Sequence, residues 1–99
     1  MVEFIDFEKH CLEHMGVDYM PLNDIVREIS GFNNPPTEDE FLTSLSYLKC
    51  LIEKHKLKVL EGSEMKTSER KVDELMDWLK QKWYLGQYDD INYGIWFEK

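Results

Sequence analysis

Two adjacent prolines, Pro35 and Pro36, sit in the stretch FNNPPTEDEF and constrain this chain more than any other feature. Proline lacks an amide hydrogen and pushes the residue before it out of the helical region, so no helix runs through Asn34–Pro36. The next residues restart one. Thr37 suits an N-cap, and Glu40 three positions on completes the pattern of a capping box. Glu38, Asp39 and Glu40 then occupy a first turn, where the helix dipole favours negative charge. Whether those acids serve only the helix, or also a surface that meets something basic, is the question the rest of the sequence bears on.

Around this break the apolar pattern has a helical period. Residues 3–15 bring Phe4, Ile5, Phe7, Cys11, Leu12 and Met15 near one side, and Gly16 ends the run. Pro21 suits a first helical turn and Asn23 competes as a cap. Leu22, Ile25, Val26 and Ile29 form the next stripe, closed by Gly31. After Thr37, Phe41, Leu42, Leu45, Leu48, Leu51 and Ile52 carry about four turns, with Lys54, His55 and Lys56 at the end that suits cations. LKVLEG reads as a short strand, and SEMKTS as a polar, capping-competent link. Val72, Leu75, Met76, Leu79 and Trp83 within residues 69–84 are the cleanest amphipathic pattern. Ile91, Tyr93, Ile95 and Phe97 alternate with Asn92, Gly94 and Trp96, which predicts a strand over 91–97. Gly94 within it predicts a bulge or a close backbone approach.

The expected fold is mainly α with a small β element, an α+β class of four helices and a two-stranded sheet in the order ααα-β-α-β. The chain has 99 residues, a length that suits a single domain over residues 1–99. Helices are expected on one side of the sheet, because two strands alone are marginal. The alternative is that the C-terminal strand pairs with a second chain.

No run of about 18 apolar residues exists, which excludes a membrane-spanning helix from the reading. MVEFIDFEKH has neither the basic nor the apolar region of a signal peptide. Cys11 and Cys50 read as two reduced thiols in core or near-core helix positions, which suits the cytoplasm.

HCLEH, residues 10–14, matches an H-x-x-E-H zinc-peptidase pattern, with His10 and His14 one turn apart. Such a site needs a third ligand and a cleft, and Leu12 belongs to the core stripe, so a solvated helix face explains the pattern better. Cys50 and His55 lack the orienting third group of a nucleophile–base pair. KHKLKV is basic but flanked by Glu53, Glu61 and Glu64, and no phosphate loop or RNA-binding motif is present. The expectation is no catalytic residue, no cofactor, no metal and no nucleic-acid partner.

Charge carries the positive signal. The net charge is −8, and all of it lies in residues 1–48, which hold ten acids against Lys9 and Arg27. Residues 49–99 balance ten acids with ten bases. A one-sided field of this kind repels nucleic acid and attracts basic partners. Aromatic residues crowd the C-terminal third, where exposed ones would anchor an interface. The candidate partner-binding residues are Asp18, Asp24, Glu28, Glu38, Asp39, Tyr88, Asp89, Asp90 and Trp96.

In size, acidity, cytosolic character and the aromatic-rich end DDINYGIWFEK, the chain resembles the small immunity proteins of bacterial toxin systems, including those of contact-dependent growth inhibition. The likeness is to a general type over most of the chain, without a shared motif, so it transfers no functional residue. It implies a non-enzymatic inhibitor that binds a cognate basic toxin of nuclease type, blocked at its active site or a neighbouring exosite in the cytoplasm. A structural or adaptor domain, acting through homodimerisation or strand pairing at the C-terminus, is the second reading; monomer and homodimer both remain open.

Overall fold

A computed structural model describes residues 2–99. The fold is mixed α+β. Helix α1 spans Phe4–Met15, α2 Leu22–Ser30, α3 Glu38–His55, α4 Val72–Tyr84 and α5 Tyr88–Ile91. Strands are β1 Met20–Pro21, β2 Lys58–Glu61, β3 Lys66–Thr67 and β4 Ile95–Glu98. The four longer helices match the expected number; the sheet has four strands rather than two, and the short α5 is additional.

The missed elements share a cause. β1 and β3 are two residues long, too short for any alternation to register. The strand expected over 91–97 begins at Ile95, because Asn92 and Gly94 donate their amides back to Tyr88 and Ile91 and continue a turn instead. Gly94 makes the expected close approach: a Cβ there would lie 2.7 Å from the Asp90 carbonyl oxygen.

The break at the prolines and the cap at Thr37 stand as expected. The Glu40 amide donates to Thr37 Oγ1 at 3.2 Å, and the Thr37 amide donates to Glu40 Oε1 at 2.8 Å. That reciprocal pair satisfies two donors left over at the start of α3. Pro21 caps α2 with an extended backbone instead of entering its first turn. Asn23 lies inside α2, buried, with its amide side chain donating to Tyr93 Oη at 3.0 Å.

The sheet is antiparallel throughout, ordered β1-β4-β2-β3. Register puts Met20, Phe97 and Val59 in one row across β1, β4 and β2. Met20, Ile95 and Phe97 point into the core formed with α1 and α2. The neighbouring row, Pro21, Trp96, Leu60 and Thr67, lies on the opposite face. Leu60 is buried there outside the main core cluster. α3 packs between α2 and α4 and fills the centre with Phe41, Leu45, Leu48 and Leu51. Ile5, expected on the buried side of α1, is 67% exposed, while Phe7, Cys11 and Met15 carry the stripe at a spacing of four.

Because β4 has β1 on one side and β2 on the other, the expectation that its edge pairs with a second chain is corrected. The edges of the sheet are the two-residue strands β1 and β3.

Candidate functional site

The halves differ in how their acids are paired: among the described residues, four of the ten acids in residues 49–99 meet a lysine or arginine, against one in the first half. In the second half, Asp73 meets Lys49 at 2.8 Å, Glu61 meets Arg70 at 3.3 Å, Glu64 meets Lys66 at 3.1 Å and Glu98 meets Lys58 at 3.7 Å. In the first half, among the described residues, only Glu8 is bridged by a lysine, Lys54 at 2.8 Å. His55 adds a second contact to Glu8 at 2.9 Å, and the hydrogen bonds from Lys54 and His55 hold its carboxyl below the ordinary value. Glu40 is used by the cap, whose Thr37 amide likewise lowers its pKa. Glu38 and Asp39 point outward and exposed.

Asp24 and Glu28 come together, one turn apart on α2, against α1. Glu28 Oε2 lies 3.2 Å from His10 Nδ1 and Asp24 Oδ2 lies 3.9 Å from His14 Nε2. The two histidines of HCLEH therefore face carboxylates of the next helix. Among the described residues no three His, Cys, Asp or Glu side chains are grouped to hold a metal ion. His14, Asp24, Arg27, Glu28, Gly31 and Phe32 line a shallow cleft here. Phe32 is 97% exposed at its rim.

The loop that carries Phe32 continues into a second concavity. Asn34, Pro35, Trp83, Gly86, Tyr88 and Asp89 line a cavity of about 430 Å³ where the α2–α3 loop meets the α4–α5 corner. Its floor is an aromatic stack. Phe41 and Trp83 lie 4.5 Å apart and nearly parallel, at 12°. Tyr88 meets Phe41 edge-on at 5.8 Å and Trp83 edge-on at 5.5 Å. Tyr88 is thus a buried floor residue instead of the exposed anchor expected; burial, with Asp89 and Tyr93 nearby, pushes its phenol up to about 12. Tyr84 and Leu85 stand exposed beside this corner. The neighbouring Glu38 carboxylate raises the Tyr84 phenol above its ordinary value.

The remaining candidates lie apart from these two sites. Asp18 follows α1 and accepts the Tyr19 amide at 2.7 Å, at a cleft shared with Glu98 and Lys99. Asp90 is exposed on α5. Trp96 is half-buried on the outer face of the sheet, between Pro21 and Leu60. Cys11 is buried, and desolvation, with Glu28 adding to it, pushes its thiol up to about 12. Cys50, expected in or near the core, is exposed, because the buried stripe of α3 runs through Leu48 and Leu51 instead.

Sequence reasoning missed Phe32, Tyr84 and Leu85. Phe32 had a signal: an aromatic between Gly31 and two asparagines, ahead of two prolines, has no helix or strand to turn it inward. Tyr84 and Leu85 follow Trp83 just past the last core position of α4, where the stripe rotates to solvent. Compared with protein families, with curated proteins and with solved structures, the chain matches none. Among the described residues no helix is long and apolar enough to cross a membrane.

Proposed function

We propose that this chain is a non-enzymatic, protein-binding inhibitor that docks a basic partner. The observation that carries the reading is the set of carboxylates without a lysine or arginine partner, Asp24, Glu28, Glu38, Asp39 and Asp89, beside exposed Phe32, Tyr84 and Leu85. Carboxylates steer a cationic partner during approach, and aromatic or aliphatic side chains supply the desolvated contact once it has docked. The α2–α3 loop links the α1–α2 cleft to the α4–α5 corner, so both can belong to one binding surface.

The partner is a cognate toxin domain of nuclease type, and the chain acts as its immunity protein in the bacterial cytoplasm. Nuclease active sites bind phosphate, so their surfaces are cationic and complementary to these carboxylates. Support also comes from what the reactive side chains do: His10, His14 and His55 each face a carboxylate, and Cys11 is held as a buried thiol. The test is expression of each neighbouring gene alone and together with this chain. One neighbour should be toxic alone and harmless in co-expression; a set of neighbours without toxicity overturns the immunity reading.

A further inference from the structure

Trp78 and Trp83 both lie on α4. Trp78 has a cation from its own chain: the Arg70 guanidinium carbon sits 4.2 Å from the ring centroid, and Lys82 Nζ lies at 5.8 Å. Arg70 Nε in turn donates to Glu61 Oε1 at 3.3 Å. Indole, guanidinium and carboxylate together make a complete recognition unit, built internally.

Trp83 has two of those three parts. Its ring stacks on Phe41 and it lines the cavity, with Asp89 at the wall. Among the described residues no lysine or arginine lies over Trp83, and none pairs with Asp89 or Glu38. Lys82, the nearest base in sequence, points to Gln87 Oε1 at 3.3 Å and towards Trp78.

We propose that the cavity between Pro35, Trp83 and Asp89 receives an arginine side chain of the basic partner. This rests on the inhibitor reading and names the side chain it would recognise. The planar guanidinium stacks on the indole and Asp89 supplies the counter-charge, while Pro35 and the ring of Trp83 cover the aliphatic stem. Arginine fits better than lysine, because a compact, strongly hydrated ammonium gains less from an aromatic face. An apolar side chain would leave Asp89 opposite a group that cannot compensate it.

The test needs no protein partner. The full chain is titrated with N-acetyl-arginine amide, and in parallel with the citrulline analogue, which has the same shape without the charge. Amide and indole N–H shifts are followed by nuclear magnetic resonance. The arginine compound should shift the Trp83 indole and the Asp89 amide, and the citrulline compound should leave both in place. Asp89→Asn, an exposed change, should weaken the arginine compound about threefold, the scale of an exposed ion pair. Shifts confined to other residues, equal response to citrulline, or unchanged affinity in Asp89→Asn would each overturn the arginine site. The inhibitor reading is decided separately, by the co-expression experiment.

Discussion

Midway along α4, Trp78 lies under Arg70 and that arginine is held by Glu61. At the C-terminal end, Trp83 lines a cavity beside Asp89 with no resident cation over its ring among the described residues. The wider surface repeats the contrast. Glu61 and Glu64 of the β2–β3 hairpin and Asp73 of α4 meet an arginine or lysines, whereas the acids of α2 and the start of α3 meet histidines, a cap or solvent. A paired carboxylate has spent its charge inside the fold. An unpaired one still projects its field, so local pairing decides which region can steer a partner, and net charge alone does not.

The largest test of the contrast is Phe41→Ala. Phe41 is fully buried and supports both Trp83 and Tyr88. Its loss should cost about 3–5 kcal/mol in urea unfolding. A cost under about 1 kcal/mol, the scale of a surface change, would mean the cavity has no packed floor. Gly94→Ala comes next. The new Cβ would press on the Asp90 carbonyl and displace α5, which carries Asp89. About 1–3 kcal/mol of stability should be lost, with the Trp83 indole resonance shifted and that of Trp78 in place.

Thr37→Ala breaks the cap that orients Glu38 and Asp39, and should cost about 0.5–2 kcal/mol. The same box predicts a pH dependence. Glu40 is held below its ordinary value of 4.5, chiefly by the Thr37 amide. A carboxyl whose folded value is depressed stabilises fully above the unfolded value and loses that contribution as pH falls through the folded one. Stability should therefore fall below about pH 4.5, and Glu40→Gln should flatten that fall in acid unfolding curves. The smallest effect on stability belongs to Arg70→Gln, under about 1 kcal/mol. It should uncover Trp78, so that N-acetyl-arginine amide then shifts both indoles instead of one.

Long periodic signals were legible in the sequence. The stripes of α2, α3 and α4, the proline break and the Thr37 box all follow from local rules spanning several turns. Two-residue strands carry no such signal, and the alternation over 91–97 overstates β4 because Ile91 is buried from a helix while Ile95 and Phe97 are buried from the strand. At the site, the acids were legible as charge, but their partners were not. That Asp24 and Glu28 face His14 and His10 depends on how α1 crosses α2. Trp83 was legible as an apolar position of its helix; that its ring also borders a cavity depends on Pro35, almost fifty residues earlier. Tyr88 looked like an anchor because it sits in a polar turn, yet that turn folds it under Trp83.

The central claim is that the location of unpaired charge drives docking, and it is tested most directly by association kinetics with the toxin domain identified by co-expression. Two variants of equal net charge are compared at low salt: Asp24→Lys, Glu28→Lys and Asp39→Lys in the first half, and the lysine-paired Glu64→Lys, Asp73→Lys and Glu98→Lys in the second. All six sites are exposed or half-exposed. The first variant should associate about tenfold or more slowly than the unmodified chain, with the second nearer to it and the gap closing as salt is added. Equal slowing in both variants would contradict the claim.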